Sequence, residues 1–520
     1  MRFAKVSFGV KVIAVLLMGA VLIIIFRANQ SAQFFRDIIG VLSDQRIIAI
    51  YLRTLGIAFS TALVCFVLGL ALSYFLHEVK LPGNKFFQIV YFWPFMLPPY
   101  FLATAWLAWL GNFGVLKGLN LNLNTPAGVV FLLSLHFSPI IMIAITNMLG
   151  DHEADQKEIA LLMGKQGKYI WRIWLPRVLP AAGSGALLVF ILTIHNYSIP
   201  SILGVNTIST EIYAEFGAFY NFYRALVKII PVVVLIFLLL FLGRGYLWRS
   251  FANLNLTWRN YPQDERCGSR WVGFGLWSFY ILLVFFLPFL GLELQIKSLS
   301  NIWNSITLAW DQIWFSLWFN AIAAIFIVIP AFLLAYLQSR RYITNAFPVL
   351  IIIFASPPVF LAIVLIYLLN HAGFNFISQS GLLLYLGYVL RFLPLVFILV
   401  LPVLATIPRE LEEVSWLSGR TFWQTWRRIL LPLAFPSLLL VWLVSFFFCH
   451  GEAECSILLY PPGAETIAMR TLSLLHYGTG PVVNGLVFTQ MILLGVIAFG
   501  CIGCYRYWRQ RWEMKERSQR

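Results

Sequence analysis

Runs of apolar residues recur along the whole chain at about the length a helix needs, roughly twenty residues, to cross a hydrocarbon core of about 30 Å. They fall at 10–26, 55–76, 87–110, 127–149, 181–203 and 229–247 in the first half. In the second half they fall at 272–290, 313–337, 347–369, 382–404, 433–459 and 483–504. The expected fold class is an all-α integral membrane protein of about twelve spanning helices. The polar stretch 248–270, with its Asn, Pro and Gly, reads as a linker between lobes at 1–247 and 271–520.

Lys and Arg gather in the short segments between runs, which is the positive-inside pattern. Arg244, Arg249, Arg259, Arg266 and Arg270 surround the linker, and Arg506, Arg509, Arg511, Lys515, Arg517 and Arg520 occupy the C-terminal tail. Both segments are expected to be cytoplasmic, and with an even number of spans so is the N-terminus. The first run follows Arg2, Lys5 and Lys11 as a secretory signal would, but no small-residue cleavage pattern comes after it, so it reads as a retained helix.

Composition agrees with lipid as the solvent. Of 520 residues, 60% are hydrophobic and 11% charged, against about a quarter charged in a soluble domain. The net charge of +16 does not point to nucleic acid, because no basic face interleaved with exposed aromatics accompanies it. The six cysteines form no disulfide framework. Cys501 and Cys504 make a CxxC at the end of an apolar helix with no second Cys or His pair nearby, and read as small packing residues.

The two halves repeat each other. Pro98-Pro99-Tyr100-Phe101-Leu102-Ala103 returns as Pro357-Pro358-Val359-Phe360-Leu361-Ala362, and His136-Phe137-Ser138-Pro139 as Arg391-Phe392-Leu393-Pro394. His195 with Ser201-Ile202-Leu203 matches His450 with Ser456-Ile457-Leu458. Six spans per half give both copies one orientation, so the repeats are parallel and related by an axis along the membrane normal. A solute path would lie on that axis.

The strongest motif follows the fourth run of each half. The second copy reads Glu413-Val414-Ser415-Trp416-Leu417-Ser418-Gly419 and ends at Ile429-Leu430-Leu431-Pro432. The first reads Glu158-Ile159-Ala160-Leu161-Leu162-Met163-Gly164 and ends at Ile173-Trp174-Leu175-Pro176, one residue shorter after its Gly. Each reads as a short helix, a bend at Gly, and an amphipathic helix that enters the next span at Pro.

This Glu-Ala-Ala-x3-Gly-x9-Ile-x-Leu-Pro pattern resembles the coupling loop of permeases from ATP-binding-cassette importers, and two copies in one chain resemble the fused permeases of the ferric-iron and thiamine group. The resemblance covers nearly the whole chain and implies the type I importer permease fold in a bacterial inner membrane. It implies that Glu158, Ala160, Gly164 and Pro176 in one lobe, and Glu413, Ser415, Gly419 and Pro432 in the other, form ATPase-coupling loops. Two copies of a cytoplasmic ATPase and an external solute-binding protein are the implied partners, beside membrane lipid. The chain itself carries no phosphate-binding loop, since Gly164-Lys165-Gln166-Gly167-Lys168-Tyr169 has the wrong spacing and a Tyr where a metal-binding hydroxyl belongs. ATP is therefore used by the partner, and this subunit is no enzyme and holds no cofactor. The rival from another class is a gradient-driven carrier, which can also have twelve spans in parallel halves but has no use for a repeated docking loop.

Ionisable groups inside spans are costly and mark function. His195 and Asn196 end the fifth span, and His450, Glu452 and Glu454 the eleventh, with Arg391 in the tenth. These six residues are candidates for the translocation path or its gate, and Arg391 is expected to pair with a carboxylate or carbonyl. The His and Glu groups suit a passing transition metal or cationic solute as well as a hydrogen-bonded seal, and no firm metal site is assigned. Resemblance favours ferric iron as cargo, with thiamine, a polyamine or a phosphonate as alternatives.

Overall fold

The computed structural model describes residues 31–111, 114–119, 122–149, 169–217, 219, 221–251, 269–342, 346, 350, 353–354, 356–369, 376–377, 380–461, 463–477 and 480–518. The run expected at 10–26 and most of the linker lie outside them. Among the described residues, nine helices are long and apolar enough to cross a membrane, or ten if one bent pair counts as a single span.

The first half contributes α1 (Ser31–Ser43), α2 (Gln45–Glu78), α3 (Asn84–Val90), α4 (Trp93–Met96), α5 (Pro99–Leu110), α6 (Pro126–Met148), α7 (Ile170–His195), α8 (Ser198–Ile202), α9 (Ile208–Gly217) and α10 (Phe222–Phe251). The second contributes α11 (Arg270–Ile296), α12 (Leu299–Leu308), α13 (Trp310–Ser339), α14 (Pro358–Leu369), α15 (Leu382–Ala405), α16 (Glu410–Leu417), α17 (Phe422–Gly451), α18 (Ser456–Leu459), α19 (Ile467–Tyr477) and α20 (Gly480–Ser518).

Proline chemistry explains where these elements depart from the hydropathy reading. The run at 87–110 is not one straight helix: it breaks at Leu97, which is held extended ahead of Pro98, and the two pieces are bent by more than 40°. The runs at 181–203 and 433–459 begin earlier and end earlier than expected, because α7 and α17 start in the amphipathic segments at 170 and 422 and stop at His195 and Gly451. Pro176 and Pro432 lack the N–H that would bond the carbonyl four residues back. The helix absorbs that gap by widening, with π turns over Ile170–Trp174 and Trp426–Leu430. Leu282–Phe286 widens in the same way two residues before Pro288.

The repeat is visible in packing. The helices α2, α6 and α7 pack on one another in the first half, as α13, α15 and α17 do in the second. Equivalent hydroxyls fix the register: Thr54 Oγ1 accepts from Ile208 N at 2.9 Å, and Ser316 Oγ accepts from Ile467 N at 2.7 Å. Small residues let backbones approach, as membrane packing requires. A Cβ on Gly69 would lie 2.6 Å from Ile141 Cγ2, and one on Gly185 3.1 Å from Ile141 Cα.

One helix crosses the sequence division. Trp277, Tyr280, Ile281 and Val284 of α11 belong to the same core cluster as Leu72, Leu102 and Ile141. Trp277 Nε1 donates to Leu72 O at 3.2 Å, and the hydroxyls of Tyr280 and Ser138 lie 2.8 Å apart. The second half thus begins by packing against the first.

Candidate functional site

Two regions carry the sequence candidates. The first is the loop after α15. Glu410–Leu417 is helical, Gly419 adopts the left-handed φ of +78° that turns the chain, and Thr421 with Gln424 forms a capping box that starts α17. Ser415 is buried, its hydroxyl 2.8 Å from Thr425 Oγ1, whereas Glu413 is exposed. The outer face is apolar: Val414 is 64% exposed, Leu417 87% and Trp423 62%. Bulky apolar side chains on a polar loop mark a surface that another molecule covers. Pro432 stands at the second position of the α-helical part of α17, as Pro176 does in α7. Glu158, Ala160 and Gly164 lie outside the described residues.

Sequence reasoning passed over Glu412, one residue before Glu413. Its carboxylate is buried, with Oε1 2.7 Å from Arg340 Nε and Oε2 accepting from Tyr336 OH at 2.8 Å. The signal available was the position of an acidic side chain on the helix face opposite Val414.

The second region is a cavity of about 110 Å³ between the halves. Phe95, Pro98, His136, His195 and Asn196 line it from the first half, and Arg391, Phe448, Glu452 and Glu454 from the second. Arg391 reaches both carboxylates, with Nε 2.9 Å from Glu452 Oε2 and a terminal nitrogen 3.1 Å from Glu454 Oε2. Each carboxylate also accepts a backbone N–H, Glu452 from Cys455 at 2.8 Å and Glu454 from Tyr197 at 2.7 Å. The Tyr197 bond crosses from one half to the other, and Tyr213 OH bonds the Glu454 carbonyl beside it. Gly451 faces Pro98 so closely that a Cβ would lie 3.2 Å from the proline ring.

The histidines are not a symmetric pair. Leu175–His195 and Leu431–Gly451 are both 21 residues long and end on equivalent turns, in which Asn196 Oδ1 accepts from Ile199 N at 3.1 Å just as Glu452 caps Cys455. In that frame His195 answers to Gly451 and Asn196 to Glu452, so His450 sits one residue earlier, about 100° around the helix. His195 lines the cavity, and its Nε2 finds no hydrogen-bond partner among the described residues. His450 turns away toward Asn320, with Nδ1 3.5 Å from the amide nitrogen. Among the described residues no three of His, Cys, Asp and Glu gather as a metal site.

Comparison with known proteins completes the picture. Residues 69–246 match the family described as binding-protein-dependent transport system inner membrane component. The chain is 20% identical over 417 residues to an Fe(3+)-transport system permease protein of Haemophilus influenzae, covering 77% of this chain and 79% of the relative. A second protein of that organism, named for ferric transport, is 22% identical over 444 residues, 79% of this chain and 70% of its own length. A protein of Salmonella choleraesuis named for 2-aminoethylphosphonate transport is 26% identical over 190 residues, 34% of this chain and 66% of its own. No solved structure matches the chain. About a third of the chain thus matches the model of that inner-membrane transport component, and over most of its length the chain is similar to proteins named as ferric-iron transport permeases.

Proposed function

We propose that this chain is the fused, two-lobed permease of a ferric-iron importer. The lobes are 1–247 and 271–520, joined by a cytoplasmic linker, with both termini on the cytoplasmic side. Two ATPase copies dock on the two Glu-x5-Gly loops, and an external binding protein delivers the cargo to the opposite side. The observation that carries the docking reading is the loop Glu410–Gly419, which buries Glu412 and Ser415 against its own lobe and presents Val414 and Leu417 outward. A gradient-driven carrier has no need of that surface. Ferric iron is favoured as cargo because the two relatives that span most of the chain are both named for it, while the phosphonate relative covers about a third. Thiamine and polyamines are further alternatives on resemblance alone.

On this reading the cavity is a closed stage of the path. Glu452 and Glu454 are engaged by Arg391 and by backbone N–H groups, so a cationic cargo meets them only after Arg391 is displaced. The group is a gate across the axis, with His195 and Asn196 on its first-half wall.

Val414→Asp combined with Leu417→Asp tests the docking reading in the complete importer. The outcome expected is loss of ATPase co-purification and of ATP-driven uptake, with the thermal unfolding of the permease unchanged. Undiminished association and uptake would remove the loop from the docking role.

A further inference from the structure

The docking helix is fastened to the end of α13 by a buried polar cluster. Glu412 lies on α16, but its side chain points back into the protein, to Arg340 and Tyr336 at the end of α13. Side-chain exposure is 8% for Arg340 and 2% for Glu412. Arg340 also donates to Ile407 O at 3.2 Å, and Arg409, just ahead of α16, bonds the Ser339 carbonyl. Loop and helix end are thus tied in both directions.

From that end α13 runs 30 residues through the lobe, packing on α15, which carries Arg391, and on α17, which leads to Glu452. Asn320, about a third of the way along α13 from its other end, faces His450. A displacement of α16 therefore has a continuous helix through which to act on the cavity.

The internal repeat can be followed along the same helices. The paired hydroxyls of Thr54 and Ser316 set α2 against α13, and the buried positions agree in that register: Ala62 with Ala324, Cys65 with Ile327, Gly69 with Ala331. Continued along the helix, Tyr74 stands for Tyr336 and Glu78 for Arg340. The residue before Glu158 is Lys157, where the second copy has Glu412 before Glu413. At both positions the charge is reversed. Lys157 lies outside the described residues, so its placement adds nothing here. Glu78 is buried and accepts from Tyr169 OH at 3.2 Å. A buried pair is no better for stability than well-packed apolar residues of the same volume, so its presence at the joint of α13 and α16 points to a demand for geometry.

We infer that Arg340 and Glu412, with Tyr336, are positioning residues that convert movement of the docked ATPase into movement of the membrane helices. The inference rests on the reading of α16 as the docking helix. The test uses the complete importer with Arg340→Gln, Glu412→Gln, and the exchanged double variant Arg340→Glu with Glu412→Arg, which places at 340 and 412 the charge signs that the sequence has at 78 and 157.

Three readouts are taken: ATPase co-purification, uptake of labelled ferric iron per ATP hydrolysed, and nucleotide-dependent cross-linking of Phe95→Cys with Phe448→Cys. The last needs no knowledge of the cargo, because those rings lie 5.4 Å apart across the cavity. Yields are corrected with a control that lacks the introduced pair. Each single variant should retain the ATPase yet lose about tenfold in uptake per ATP and most of the nucleotide response, a coupling loss of ordinary size. The exchanged variant should recover at least half of both. Single variants that keep the ATPase, the nucleotide response and the uptake ratio would overturn the inference while docking stands. Loss in the exchanged variant equal to that in the singles would overturn it as well, since no polarity-independent pair would then be at work. If the wild-type permease itself captures no ATPase, the docking reading fails first and the joint with it.

Discussion

The turns that close the two halves of the cavity have the same backbone and different chemistry. Asn196 ends α7 and accepts Ile199 N–H, while Glu452 ends α17 and accepts Cys455 N–H. An uncharged amide satisfies that turn, so the carboxylate of Glu452 is not required by the backbone. The second repeat nevertheless buries a negative charge there and adds Glu454, and the position of His136 is taken by Arg391. One repeat offers a wall of His and Asn and the other a buried cluster of one Arg and two Glu. An expensive arrangement present in only one of two copies of the same fold belongs to what the protein does, because the fold has been achieved without it.

The largest expected effect comes from removing the cation of that cluster. Arg391→Leu leaves two buried carboxylates facing each other, and should cost ~3–5 kcal/mol, the range for breaking a buried pair. His136→Leu removes no charge and should cost about a third of that or less. Thermal unfolding of the detergent-solubilised permease measures both. Equal losses would erase the contrast between the two walls.

A smaller effect separates the turn from the charge. Glu452→Asn copies the first repeat and should preserve the turn, whereas Glu452→Ala removes the acceptor for Cys455 N–H and should cost about 1 kcal/mol more, the ordinary value of a lost cap. Both variants should reduce uptake together, since both remove the charge. An Asn variant as unstable as the Ala variant would mean that the two turns are not equivalent.

Much of this was legible in the sequence. Runs of apolar residues matched the helices at 127–149 and 382–404 nearly to the residue, while the run at 55–76 starts ten residues inside Gln45–Glu78. The repeated Pro-Pro pair marked the third and ninth runs, and its consequence, a break at Leu97, follows from the pre-proline rule that hydropathy alone does not apply. Rotational phase was less accessible. Aligning His195 with His450 is natural by eye, but a slip of one residue turns a helical side chain by about 100°, and the structure has His195 on the cavity and His450 against Asn320. Partners were hidden for a related reason: Arg340 precedes Glu412 by 72 residues, and no local pattern joins them. Likewise α11 lies in the second half of the sequence and in the core of the first, because apolar periodicity reports that a face is covered without naming its cover.

The central claim is that this permease carries ferric iron at the expense of ATP hydrolysed by a partner. Reconstituting it in proteoliposomes with its ATPase and binding protein, and following labelled ferric iron beside labelled thiamine and a phosphonate, tests that claim most directly. The account predicts iron accumulation that requires ATP, survives collapse of the ion gradients, and is lost with Val414→Asp and Leu417→Asp. Iron uptake that ignores ATP and follows an imposed ion gradient, or ATP-driven uptake of another solute with none of iron, would contradict it.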